Sequence, residues 1–123
     1  MALLLIFCLS ACRQSQQAQS APETLSISIE AMPQTPVVGE AELRVTLNDQ
    51  AGQPITGANV EIRGDMTHAG MEPVFASIDS GTDGVYTVPF QWTMAGDWIV
   101  TVTITQPDQG ITTRTFDFTV ANP

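Results

Sequence analysis

Apolar and polar side chains alternate with a period of two along most of the chain, which sets successive side chains on opposite faces of an extended backbone. Leu25, Ile27 and Ile29 alternate with Ser26, Ser28 and Glu30 and predict a first strand. Leu43, Val45 and Leu47 alternate with Glu42, Arg44 and Thr46 in a second, and Val60 and Ile62 with Glu61 and Arg63 in a third. Val74 to Ile78 reads as a fourth, with less regular alternation. Tyr86, Val88, Phe90 and Trp92 share one face of a fifth strand. Trp98, Val100, Val102 and Ile104 share one face of a sixth, with Thr101, Thr103 and Thr105 opposite. A seventh points Phe116, Phe118 and Val120 inward and Thr115, Asp117 and Thr119 outward. Runs of Gly, Pro, Asn and Asp at Asn48 to Gly57, Asp79 to Gly84 and Pro107 to Gly110 supply turns. Seven short strands so spaced predict an all-β fold, a seven-stranded immunoglobulin-like antiparallel sandwich. Tyr86 and Trp98 belong to its core, because large inward aromatics dominate such interiors.

The first residues break this pattern. Leu3 to Leu9 is an uninterrupted apolar run, too short for a membrane-spanning helix but suited to the apolar region of an export signal. It ends in Leu9-Ser10-Ala11-Cys12, which resembles the bacterial lipobox, where the cysteine receives diacylglycerol before cleavage. The run lacks the preceding Lys or Arg that export signals normally carry. The expected organisation is a lipoprotein signal peptide over residues 1–11, a lipidated Cys12 with a Gln/Ser/Ala-rich tether over 12–23, and the sandwich domain over 24–121. This makes membrane lipid a partner through acylated Cys12 and places the domain in the cell envelope, outside the cytoplasm. With Cys8 in the leader and Cys12 acylated, no thiol remains for a disulfide, a thiolate metal site or nucleophilic catalysis.

Charge narrows the partners. The net charge is −9, with Arg13, Arg44, Arg63 and Arg114 as the only basic residues. Such a chain repels phosphate backbones, so nucleic acid is not an expected partner.

Chemistry concentrates between strands. Met32 follows the first strand; Met66, His68 and Met71 lie between the third and fourth; Met94 lies between the fifth and sixth. In an antiparallel sandwich alternate connections emerge at the same end, so these side chains are expected at one pole. None of these methionines is expected at an inward-facing strand position. A thioether is a soft neutral donor that suits Cu(I), and imidazole also suits copper. Met66, His68 and Met71 therefore form the candidate ligand set, with Met94 or Met32 as a fourth donor. The competing reading is that these methionines merely cap the open end of the core.

Other chemistry is thin. His68 stands alone without a Ser–Asp set, so no enzyme is expected. Asp65 and Glu72 beside His68 make a poor zinc site. Asp79, Asp83 and Asp108 sit in turns and read as turn formers.

The stretch Val60 to Pro73 (VEIRGDMTHAGMEP), Gly84-Val85-Tyr86, and Phe90 to Trp98 (FQWTMAGDW) resembles the YtkA-like domain family. That family is related in layout to FixH-type and CopC-type copper-handling proteins. The resemblance implies an extracytoplasmic immunoglobulin-like domain that handles copper, Cu(I) here, or assists oxidase assembly, with a copper-receiving envelope protein or oxidase as partner. It assigns Met66, His68 and Met71 as loop ligands and Met94 as the hairpin methionine. The N-terminal histidine brace of CopC-type Cu(II) sites has no counterpart here, since Cys12 would occupy the mature N-terminus. Ala51 to Ile62 (AGQPITGANVEI) also looks like bacterial surface immunoglobulin-like modules, and the alternative is a non-catalytic structural or interaction module without metal.

Overall fold

Inward-facing alternate residues bury themselves by pairing sheets face to face, and seven strands accomplish this in the computed structural model, which describes residues 25–123. They are β1 (Leu25–Met32), β2 (Gly39–Asp49), β3 (Asn59–Met66), β4 (Val74–Ile78), β5 (Val85–Trp92), β6 (Gly96–Thr105) and β7 (Ile111–Val120). One sheet has the order β1-β2-β5 and the other β4-β3-β6-β7. Every strand pairing is antiparallel. The expected all-β antiparallel sandwich is therefore the architecture of the domain. The expected leader, Cys12 and the tether lie outside the described residues.

The core forms where the two inner faces meet. Leu43, Val45 and Leu47 of β2, Val60 and Ile62 of β3, and Val100, Val102 and Ile104 of β6 are almost wholly removed from water. Each such large side chain stabilises the fold by ~1.5–3 kcal/mol relative to exposure. Tyr86 and Trp98 are buried with them, as their inward positions predict. At one end the core turns aromatic. The Trp92 ring centroid lies 4.9 Å from Phe90, 5.4 Å from Trp98 and 5.5 Å from Phe118.

One strand differs in length from its sequence pattern in a way that matters. β3 continues beyond Arg63, pairing Gly64, Asp65 and Met66 with Val100, Ile99 and Trp98 of β6. Gly64 is the reason the aromatic end can close. A Cβ there would lie 2.6 Å from Phe90 Cζ and 3.3 Å from the Trp98 ring, so any other residue would push those rings apart.

Register places the connections 33–38, 67–73 and 93–95 at one pole, as the alternation of strand direction requires. Gly39 pairs with Trp92, Met66 with Trp98, and Gly96 with Val120. The β1–β2 connection is tied to the end of β7 by Val38 N to Ala121 O and Ala121 N to Pro36 O.

Candidate metal centre at one pole

Met66 overturns one expectation. It is the last residue of β3, faces inward and is only 8% exposed, so it belongs to the core cluster rather than to a solvent loop. The cause is strand continuation: Ile62, Gly64 and Met66 share a face at period two, and Gly64 reads as a loop start only because it lacks a side chain. The terminal methyl of Met66 points toward Gly96 at the start of β6. A Cβ on Gly96 would sit 3.0 Å from Met66 Cε, and 3.9 Å from His68 Nε2. The structure thus brings the methyl end of Met66 and the imidazole of His68 near the first residue of β6, while the Met66 sulfur lies more than 4 Å from that Cβ position.

Met71 and Met94 form a second group. They are 37% and 45% exposed, and both line a groove of about 390 Å³ with Gly70, Glu72, Pro73, Val74 and Thr93. Two hydrogen bonds, one between backbone groups and one from a side chain, hold these loops in place. Thr67 N donates to Asp97 O at 3.1 Å, tying the β3–β4 loop to β6. Trp98 Nε1 donates to Met94 O at 3.0 Å, pinning the β5–β6 hairpin over the aromatic end of the core.

Met32 is not brought to either group. It ends β1 on the outer face, paired with Glu42, and lines a separate groove with Glu40, Glu42, Phe75 and Pro89. Being on the same pole set its level in the sandwich; the parity of β1 set the face, and that face is the wrong one for convergence.

The acidic neighbours of His68 are not a ligand set. Asp65 accepts from Arg63 Nε at 2.8 Å and Nη2 at 3.1 Å, and this pair raises the Arg63 pKa through hydrogen bonding and charge attraction. Asp97 Oδ1 accepts from Thr119 Oγ1 at 3.0 Å. Among the described residues no three His, Cys, Asp or Glu side chains converge. Thioether sulfur and imidazole nitrogen at this pole are donors that suit a soft monovalent cation better than a hard divalent one, and the Glu72 carboxylate lines the Met71–Met94 groove beside them.

Sequence reasoning singled out the candidate donors and missed the two glycines that shape the packing around Met66. Gly64 admits the aromatic rings beneath Met66, and Gly96 admits the Met66 methyl against the start of β6. The available signal was the Met-x-Gly-x-Trp spacing of Met94, Gly96 and Trp98, whose glycine has a left-handed φ of 133°.

Among solved structures, the superoxide reductase (neelaredoxin) from Ignicoccus hospitalis is similar, with 11% identity, a TM-score of 0.53, and 79% of each chain covered. The PmoD soluble domain from Methylocystis sp. follows at 15% identity and a TM-score of 0.48, covering 79% of this chain and 90% of that one. Murine CRIg is similar at 13% identity and a TM-score of 0.43, covering 80% and 98%. At these identities the first of them speaks for a shared fold and nothing more. No curated protein matches the chain. The YtkA-like family model matches residues 19–103, more than half of the sequence and all of the candidate centre, and the chain belongs to the YtkA-like family.

Proposed function

We propose that this protein is an extracytoplasmic, lipid-anchored module that binds Cu(I) and hands it on, without catalysis. The observation that carries the reading is the pair of exposed thioethers, Met71 and Met94, along one groove at the pole where the exposed His68 also lies. Thioether and imidazole donors keep their ligand character in an oxidising compartment, where thiols would be lost to disulfides. Cys12 supplies the anchor, and 12–23 the tether that lets the domain reach a copper-receiving envelope protein or oxidase. Bound copper would be cargo: the side chains hold it, and nothing near them is arranged to turn over a substrate.

The test is titration of the full chain, purified in detergent, with Cu(I) against a chromogenic Cu(I) chelator. The wild type competes for a stoichiometric amount of copper. The quadruple change Met66→Leu, His68→Ala, Met71→Leu and Met94→Leu abolishes competition while the domain remains folded, since Met-to-Leu exchange conserves volume and costs below ~1.5 kcal/mol per buried site. A wild type that never competes with the chelator would end the copper reading. The second reading, a protein-contact module, draws on the exposed sulfurs of Met71 and Met94 and on Phe75, 68% exposed on edge strand β4.

A further inference from the structure

We infer that the free edge of β4 is a docking site for an extended, lysine- or arginine-bearing segment of a partner protein, which adds to the four-stranded sheet as one further strand. The inference goes beyond the copper reading and needs no metal. The two sheets end in β1, β5, β4 and β7. Folded proteins blunt such edges with charges or proline, because their unpaired backbone groups are a template for another chain. β1 carries Glu30, β5 carries Pro89, and β7 carries Arg114 and Asp117. β4, with the sequence Val-Phe-Ala-Ser-Ile, carries neither a charge nor a proline. It pairs with β3 on one side only, and its other neighbour is β5, which belongs to the opposite sheet.

What lies along that free side identifies the occupant. Val74 and Phe75 line a groove of about 650 Å³ with Glu40 and Glu42 of β2 and Pro89 and Gln91 of β5. Phe75 leaves most of its side chain in water. Pro89 has no N–H, so β5 offers no continuous ladder there and an incoming strand adds to β4. Glu40 and Glu42 are exposed, and among the described residues neither has an ion-pair or hydrogen-bond partner. They share one face of β2 about 7 Å apart along the strand, which is also the spacing of alternate side chains on an added strand. Two cationic side chains at positions i and i+2 therefore match both carboxylates, while the residue between them turns to the opposite side, beside Phe75. The net charge of −9 steers a cationic segment toward this chain. Val74 also lines the Met71–Met94 groove, so a strand docked on β4 lies next to that groove.

The experiment uses the full chain in detergent and metal-free buffer, so its failure leaves the copper reading untouched. The probe is the capped peptide acetyl-Thr-Val-Lys-Val-Lys-Val-Thr-amide, titrated while backbone amide resonances are followed. The amides of 74–78 shift, their hydrogen exchange slows, and affinity falls as salt is raised. The same peptide with glutamate in place of both lysines does not bind. Glu40→Gln combined with Glu42→Gln weakens binding by about 2–30-fold, the summed worth of two exposed ion pairs. Phe75→Thr weakens it by up to about fivefold, the loss of one aromatic cross-strand contact. These side chains are exposed, so the melting temperature stays near that of the wild type.

Strand addition has a signature that charge attraction lacks. N-methylation of alternate peptide residues removes the N–H groups along one edge, so methylating one parity abolishes binding and methylating the other leaves it near the unmodified value. Equal affinity of the two N-methylated peptides, no binding at millimolar peptide, or amide shifts that avoid 74–78 overturn the inference. A dimer of the chain itself, held through β4 and not displaced by the peptide in sedimentation, also overturns it by making a second copy the occupant.

Discussion

Tyr86 and Trp92 lie on the same inward face of β5, six residues apart, and they end in opposite environments. Tyr86 Oη accepts from Ala58 N at 3.1 Å and donates to Ile55 O at 2.9 Å, closing its pole with two hydrogen bonds. Trp92 Nε1 is buried and has no hydrogen-bond partner; its indole is enclosed by Phe90, Trp98 and Phe118. The same contrast runs through the connections around them. At the Tyr86 pole, Asp49 Oδ1 accepts from Ala51 N and Gln53 N, Asp108 Oδ1 accepts from Gly110 N, and the polar side chains are spent on their own backbone. At the Trp92 pole the loops carry methionines and a histidine, which among the described residues make no side-chain hydrogen bonds. Short oxygen-bearing side chains close a loop on itself; long, soft ones leave their donor atoms for something else. The first pole is closed by its own hydrogen bonds, and the second is the one on which the proposed copper binding draws.

Three substitutions separate those roles. Trp98→Ala should have the largest effect, because it opens a cavity beneath Met66 and releases the bond to Met94 O. A loss of about 3–5 kcal/mol is expected from the midpoint of urea unfolding, a large share of the roughly 5–15 kcal/mol that holds a domain together, and copper binding should fall with it. Tyr86→Phe should come next. It strands the buried Ala58 N–H and the partly buried Ile55 C=O at the closed pole and costs about 1–3 kcal/mol, yet should leave copper affinity at the wild-type value. If copper binding weakened as much as stability in that variant, the division between poles would be wrong. Arg63→Gln should do least. The Arg63–Asp65 pair is exposed, and its removal should change neither the melting temperature nor copper competition measurably, even though the guanidinium also lies 5.6 Å over the Phe75 ring.

The strands were legible because period-two alternation is a local property: every residue on an inner face announces itself by being apolar between polar neighbours. Tyr86, Val88, Phe90 and Trp92 could be assigned to one face from β5 alone. Turns were legible for the same reason, through Gly, Asn and Asp at short spacing. Where alternation was interrupted by a glycine, the reading stopped short. Gly64 looked like the beginning of a loop, although the backbone pairing with β6 continues through Met66. That single misplaced boundary moved a thioether from the core to the solvent. β7 likewise begins at Ile111, earlier than its apolar residues suggest, because Thr112 and Arg114 occupy inward positions on an edge strand that the opposite sheet covers incompletely.

By itself the sequence determined the strand count, the antiparallel alternation, and hence which connections share a pole, since side-chain parity and chain reversal follow from covalent geometry. The tertiary structure decided where each donor lies. Met32 and Met66 both end strands at that pole, yet one lies on an outer face beside Glu42 and the other inside against Trp98 and Gly96. That outcome depends on register between β3 and β6 and on the absence of a side chain at Gly96. Both are relations between residues far apart in the chain, and no local pattern encodes them.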